Sequence, residues 1–329
     1  MTGVSEKTVE GDENGMRLDR WFKSHFPGLG FGALQKLLRS GQVRVDGRRA
    51  KSDTRIHTGN LIRIPPQLTQ EKSSSDGPTN PLKNANDRDA LAKMTLFEDA
   101  KVLILNKPFG LAVQGGSGVS RHVDGMLEAL RNKKGEKPRL VHRLDRDTTG
   151  VLAIAKSRSA AQALTEAFRK RDTEKVYWAL VKGSPRKSEG RISTWLAKEQ
   201  TPDGDRMRIA EHGEKGADHA VSQYRRIETA GQRLTWMELQ PETGRTHQLR
   251  IHCLSMGLPI LGDPKYFEDD PNWEFPGGIQ KKLHLHARRL RIPHPNGGKI
   301  NVTAPLPPHM VQSWNLLGLD EAEGEPDNE

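Results

Sequence analysis

The sequence predicts an α+β protein, with a mixed, mostly antiparallel sheet in a large domain and a small α-plus-β module before it. Three observations predict this. Short apolar runs of strand length alternate with helical repeats, and several of these runs are close enough to pair as hairpins. A polar stretch without periodicity separates residues 15–65 from residues 95–312. The chain has 329 residues, enough for one sizeable domain and one small one.

The N-terminal module comes first. A helix is expected from Arg17 to Phe26, with Leu18, Trp21, Phe22 and His25 at three- to four-residue spacing and Pro27-Gly28 as its stop. A second helix, Phe31 to Ser40, turns Leu34, Leu37 and Leu38 inward and ends at Gly41. Gln42 to Val45 reads as a strand, Asp46-Gly47 as a turn and Leu61 to Ile64 as a closing strand. Residues 66–94 read as a flexible linker.

In residues 95–312, strands are expected at Val102–Leu105, Leu140–His142, Val151–Ala155, Val176–Val181, Ala220–Ile227 and Leu234–Leu239. A helix is expected from Ser159 to Lys170, with Ser159 and Gln162 as a capping box and Ala161, Leu164 and Phe168 as its buried stripe. Another runs from Thr246, its expected cap, to Met256, and Gly257 and Pro259 stop it. Residues 313–329 form a C-terminal segment whose acidic tail, from Asp320, reads as disordered.

Composition narrows the function. No run approaches the ~18 apolar residues of a membrane helix, and the polar N-terminus lacks a signal segment, so a cytoplasmic protein is expected. The lone cysteine, Cys253, excludes an internal disulfide and a cysteine-based zinc site, and its apolar helical setting points to a buried thiol. The formal net charge of +10 suits a polyanionic partner. The positive charge is dense in the N-terminal module, where Arg17, Lys36, Arg39 and Arg44 are candidate RNA contacts. Lys36, Arg39 and Arg44 are expected on one solvent face, suited to phosphates rather than to base reading.

Two clusters carry chemistry. His142-Arg143-Leu144-Asp145-Arg146-Asp147-Thr148-Thr149-Gly150 lies between two expected strands, a loop held by rigid neighbours. Arg143 and Arg146 flank Asp145 and favour its ionised form, which a nucleophile or base requires. A loop merely capped by its Asp and Thr side chains is the structural alternative. In Gly244-Arg245-Thr246-His247-Gln248-Leu249-Arg250-Ile251-His252, His247 and Arg250 share a helix face that can hold a phosphate or a carboxylate. His284 and His286 have strand spacing, but without cysteine or clustered carboxylates no metal is expected. Gly115-Gly116-Ser117-Gly118 and Lys107-Pro108-Phe109-Gly110 do not fit a phosphate-binding loop and read as turns.

The run His142 to Gly150 resembles the RluA-type family of pseudouridine synthases, with Thr149 where serine is usual. Further motifs follow in the family's order: Asn106-Lys107-Pro108 with Gly110, Lys175-Val176-Tyr177-Trp178-Ala179, Gly244 to His252, Gly257 to Ile260 with Gly262-Asp263 and Tyr266, Leu285-His286-Ala287 and His294-Pro295. The resemblance covers about residues 95–308 and is closest to the RluC-type branch, which acts on large-subunit ribosomal RNA. The RluD-type branch has the same domain order. Arg17-Leu18-Asp19 and Gly41 to Gly47 resemble the S4 RNA-binding domain, with Asp46 in place of the usual asparagine.

The resemblance implies an enzyme that isomerises uridine to pseudouridine with no cofactor and no metal, acting on ribosomal RNA as a monomer. Asp145 becomes the essential carboxylate. Attack on ribose C1′, attack on the base and removal of a ribose proton all stay open for it. Tyr177 packs on the uracil and assists proton removal at C5, and Arg250 pairs with Asp145. The target base leaves its stack, and Arg143 fills the vacated space. Two other classes compete: a non-catalytic ribosome-assembly factor, and an RNA glycosidase or nuclease that pairs Asp145 with Asp147.

Overall fold

The computed structural model describes residues 5–26, 29–70, 81–116, 119–132, 135–201, 204–231, 233–267 and 273–325. The expected helix stop at Pro27-Gly28, the turn residues Ser117-Gly118 and the Lys72–Pro78 stretch lie outside them. The chain divides into two compact units, Met1–Asn84 and Ala85–Glu329.

The first unit contains β1 (Ser5–Thr8), α1 (Leu18–His25), α2 (Phe31–Arg39), β2 (Arg44–Val45), β3 (Arg48–Arg49), β4 (Leu61–Ile64) and α3 (Pro66–Gln70). Its four strands follow the order β1-β4-β2-β3. Leu18, Trp21 and Phe22 of α1 meet Leu34, Leu37 and Leu38 of α2 over Val43, Ile56 and Ile62, one buried cluster. Asp46 and Gly47 both take positive φ, +47° and +73°, as a two-residue hairpin turn requires. β1 was not foreseen: its residues are polar and largely exposed, and backbone pairing to β4 holds it. The carboxylate of the buried Glu13 accepts from the Trp21 indole at 2.9 Å.

The second unit is built on one sheet. Its elements are α4 (Pro81–Met94), β5 (Thr95–Glu98), β6 (Val102–Lys107), α5 (Val123–Met126), β7 (Arg139–Leu140), β8 (Thr149–Ala155), α6 (Arg158–Lys170), β9 (Glu174–Lys182), β10 (Glu189–Thr201), β11 (Gly204–Ala210), β12 (Asp218–Ala230), β13 (Leu234–Pro241), α7 (Gln248–Ser255), β14 (Leu285–Pro293), β15 (Lys299–Thr303) and α8 (Pro308–Leu317). Among the described residues the sheet has 11 strands, in the order β11-β10-β12-β13-β9-β14-β8-β6-β5, with β15 on β14 and β7 on β8. Among the described strands only the β14–β8 pair is parallel, so the expected mixed, mostly antiparallel sheet is what forms.

Both faces of the central strands are buried, which explains their nearly continuous apolar runs. Val102, Ile104, Val151 and Ala153 pack under α6, while Leu103, Leu105, Leu152 and Ile154 face α5 and the loop carrying Leu144. Trp178 and Trp236 face α8, and Ala179, Met237 and Leu239 face α7. The register aligns Leu239, Tyr177, Ala287, Gly150 and Lys107 in one row across five strands. Gly150 has φ +104°, and a Cβ there would fall on the Ala287 carbonyl. That position therefore closes the parallel β14–β8 pair only as glycine.

Three expectations are corrected, and strands β10 and β11 were not foreseen. Residues 81–94 of the expected linker are helical. α4 buries Leu91 among Leu103, Val113 and Met126, its buried Asp87 pairs with Arg121 at 3.2 Å, and Arg88 donates to the Ala129 carbonyl at 2.6 Å. α6 is capped by Ser157, which accepts from Ala160 N–H, not by Ser159, and Ala160, Leu164 and Ala167 form its buried stripe. The acidic tail is ordered to Glu325: Arg288, stacked on Trp178, pairs with Glu321 at 3.0 Å and Glu325 at 2.5 Å, and Gly324 lies against Trp178 and Trp236. β10 and β11 were missed because charged and hydroxyl side chains dominate them; β10 buries only Leu196 and Ala197.

Candidate active site

The loop from Val141 to Thr148 joins β7 to β8 and is pinned at several points. The imidazole of His142 stacks near Phe168 at 4.6 Å and accepts from Ala153 N–H at 2.8 Å. Burial lowers its pKa to about 3, so it stays a neutral acceptor. Leu144 is buried with Leu152 and Ala287. Lys107 is fully buried, and its ammonium donates to the carbonyls of Pro108, Leu111 and Arg146 at 3.0, 2.9 and 2.8 Å. Burial pushes its pKa down to about 7, with Asp147 and Asp145 opposing. Three carbonyls match the three hydrogens of an ammonium, so Lys107 ties the Pro108 turn to the Asp145 loop.

Asp145 emerges from this frame with 28% of its side chain exposed. Its sequence neighbours do not serve it. Arg143 reaches Gln114 at 3.5 Å, and Arg146 pairs with Asp147 at 3.3 Å. The expectation that these two arginines hold the Asp145 charge is corrected. Consecutive side chains of an extended loop point different ways, and the groups facing Asp145 come from a helix 100 residues on.

That helix is α7. Arg250 Nη1 donates to Asp145 Oδ2 at 3.4 Å, and His247 Nε2 lies 3.9 Å from the same oxygen. The shared face of His247 and Arg250 thus holds a carboxylate. Thr246 does not cap α7: the N-cap is His247, with φ +52° and no side-chain cap. Arg250 is held mainly by Asp263, by two bonds of 2.7 and 2.6 Å, in a pair 5% and 0% exposed. Burial opposes the Arg250 charge, but the Asp263 pair outweighs it and raises the pKa. Asp263 was read only as part of a motif. Nothing local marks it as the clamp, because the contact is tertiary.

Tyr177 is half-buried on β9. Burial, aided by the Asp145 charge, raises its phenol pKa well above the usual range, so the hydroxyl stays protonated. Asp145, Tyr177, Arg250 and Arg143 line one pocket of about 940 Å³, together with Arg171, Lys175, Arg245 and Glu242. Burial, then the Arg171 charge, lowers the Lys175 pKa to about 8. That volume is large enough for a nucleotide, and the rim is mainly cationic.

The basic residues singled out in the first unit have mixed fates. Lys36 and Arg39 are exposed on α2. Arg17 forms a fork with Asp19 at 3.2 and 2.6 Å. Arg44 turns back onto the carbonyls of Gly41 and Gly47 at 3.2 and 3.1 Å, so it is not free on the expected shared face. His284 and His286 are buried: His284 contacts the Lys282 carbonyl and Ser313, and His286 contacts Thr149 and the Ala304 carbonyl. Cys253 is a buried thiol, its pKa pushed up to about 12 by burial and then by Asp263. No described helix is long and apolar enough to cross a membrane.

Comparison with known proteins identifies the family. Residues 101–255, which contain Asp145, Tyr177 and Arg250, match the family described as RNA pseudouridylate synthase. The chain is 38% identical over 301 residues to the ribosomal large subunit pseudouridine synthase C of Haemophilus influenzae, covering 91% of this chain and 90% of that protein. It is 36% identical to the protein of the same name from Pasteurella multocida, covering 95% and 94%. The solved structure of human RNA pseudouridylate synthase domain containing 4 superposes with a TM-score of 0.60 at 30% identity, covering 73% of this chain and 98% of that one. This chain belongs to the RluA-type family of RNA pseudouridine synthases, isomerases that act on RNA.

Proposed function

We propose that this enzyme converts specific uridines of large-subunit ribosomal RNA to pseudouridine, with Asp145 as its catalytic carboxylate. One observation carries the catalytic assignment: Asp145 lines the pocket with Arg250 behind its Oδ2. The substrate assignment rests on relatives named for the large ribosomal subunit that match over nine-tenths of both chains.

The reaction needs no group donor. The C1′–N1 bond breaks, the uracil turns, and C1′ rejoins it at C5. The C5 proton leaves and N1 gains one, so atoms and electrons balance. An ionised Asp145 acts at the ribose or at the base. Arg250 gives it a countercharge and aims it through a charge-assisted contact. Tyr177, protonated and half-buried, packs against the uracil. The base is flipped from its stack at a cost of a few kcal/mol, and Arg143, exposed at the pocket, fills the gap. The basic first unit, with Lys36 and Arg39 exposed, acts as an S4-like grip on the RNA backbone. The enzyme works as a monomer in the cytoplasm.

The test is tritium release from large-subunit RNA carrying C5-labelled uridine, with wild type and Asp145→Ala side by side. Release by wild type alone is expected. Release by both removes Asp145 from the chemistry, and release by neither favours an RNA-binding assembly factor. Mapping the modified positions then separates RluC-type from RluD-type targets.

A further inference from the structure

His247 has three unusual features. Its backbone is left-handed, φ +52°, at the N-cap of α7. Residues other than glycine seldom adopt this conformation, and such positions collect at functional sites. One ring nitrogen, Nδ1, lies 2.7 Å from the Tyr266 hydroxyl. The other, Nε2, faces Asp145 Oδ2 at 3.9 Å.

The hydrogen bonds decide which nitrogen carries the hydrogen. The Tyr266 oxygen already accepts from the Met207 backbone N–H at 2.9 Å. Its own hydrogen is then directed to His247 Nδ1, which accepts. In a neutral imidazole the ring hydrogen therefore sits on Nε2, pointing toward Asp145. Tyr266 is itself fixed, buried with the Arg206 and Arg250 guanidiniums 5.3 and 4.9 Å from its ring. Burial lowers the His247 pKa most; Asp145 and Asp263 oppose, while Arg250 and Lys265 reinforce it. The balance favours the neutral imidazole.

Arg250 Nη1 and His247 Nε2 approach the same oxygen of Asp145, Oδ2. Among the described residues no hydrogen bond reaches Oδ1. We infer that His247 is a positioning residue which, with Arg250, holds Asp145 by Oδ2 and leaves Oδ1 as the oxygen that acts on the substrate. A separation of 3.9 Å exceeds a hydrogen bond, and the contact closes when substrate fills the pocket, as catalytic contacts commonly do. The inference rests on Asp145 being the catalytic carboxylate.

Three substitutions and one spectrum test it. Asparagine tolerates the left-handed backbone and keeps an amide near Tyr266, but has no N–H where Nε2 stands. Glutamine reaches that point with an N–H. His247→Asn is expected to lower kcat at least about tenfold, the effect of losing one hydrogen bond to a charged group. KM should stay within about twofold, and His247→Gln should recover most of the loss. Tyr266→Phe removes a donor that favours the neutral imidazole. It should raise the pH at which the His247 ring takes its second proton, read by nitrogen NMR of the labelled variant; an unshifted titration would overturn the Tyr266 part of the argument. Unchanged kcat in His247→Asn, or equal losses in the Asn and Gln variants with equally lowered Tm, would overturn the proposal. Nitrogen NMR of the labelled wild-type protein reads the tautomer without turnover. A hydrogen on Nε2 at pH 7 is expected, and one on Nδ1 sinks the idea. If wild type releases no tritium, the functional reading fails, while the spectrum still judges the His247 geometry.

Discussion

Asp263 grips Arg250 through two of its three guanidinium nitrogens, Nε at 2.7 Å and Nη2 at 2.6 Å, and leaves only Nη1 to reach Asp145 at 3.4 Å. The planar fork of arginine turns a buried ion pair into an aiming device. Asp263 is in turn held by the backbone N–H groups of Lys265 and Tyr266 at 2.9 and 3.1 Å. Asp263→Asn leaves a buried guanidinium without its countercharge. It should cost about 3 kcal/mol of stability and lower kcat by more than tenfold, read by urea unfolding and single-turnover tritium release. Normal kcat in a folded Asp263→Asn protein would show that Arg250 does not need this clamp.

Gly150 makes a second, sharper case. With φ +104° and the Ala287 carbonyl where a Cβ would stand, Gly150→Ala must part β8 from β14 in the row that carries Tyr177. A loss above roughly 3 kcal/mol is expected, or no soluble protein. Gly244→Ala, where a Cβ meets nothing within 4 Å, is the control and should fold normally.

Acid should destabilise the second unit before its carboxylates titrate. Burial lowers the pKa of His142 and His286 to about 3 and of His252 and His284 to about 4, from 6.5. The unfolded chain then binds more protons than the native one below pH 6.5, so stability falls as pH falls. Each such histidine contributes up to about 1.4 kcal/mol per pH unit in that window. Urea unfolding between pH 6.5 and 5 should show this slope, and His286→Gln should reduce it by close to one proton. A flat profile would mean that these imidazoles are already protonated in the native state.

The C-terminal acidic segment should behave as structure. Removing residues 320–329 takes two carboxylates from Arg288 and uncovers Trp178 and Trp236. A Tm lower by several degrees is expected, on the scale of about 1–2 kcal/mol. An unchanged Tm would show that the strap contributes nothing to the fold.

Lys36 and Arg39 are the exposed cations of the first unit proposed to meet phosphate. Replacing both with alanine should weaken RNA binding uniformly across sequences. It should also flatten the plot of log affinity against log salt by about one to two units. An unchanged slope would remove these two residues from the RNA contact. Arg44→Ala, whose guanidinium is spent on two carbonyls, should change stability more than the slope.

The strands β6, β8, β9, β12 and β13 and the helices α1, α2, α6 and α7 were legible because their apolar spacing is local and regular. β1, β10 and β11 were not, since their partners supply backbone bonds while their side chains stay polar. α4 was missed for a related reason: Leu91 and Asp87 become core positions only once the rest of the unit gives them Leu103 and Arg121 to meet. In the site, Asp145, Tyr177 and Arg250 were readable as motif residues. The expected support of Asp145 by Arg143 and Arg146 failed because adjacency in a loop is not adjacency in space.

By itself the sequence determined the two-part organisation, the α+β class, the buried thiol of Cys253 and the residue types brought to the pocket. These depend on composition, periodicity and motif order, which are properties of the chain alone. Only the tertiary structure decided that Asp263 clamps Arg250, that Lys107 ties two loops together and that His247 faces Asp145 with Tyr266 behind it. The Asp145–Arg250 and Asp145–His247 contacts each join residues about 100 positions apart. Their geometry is set by strand register and helix placement, which no local pattern encodes.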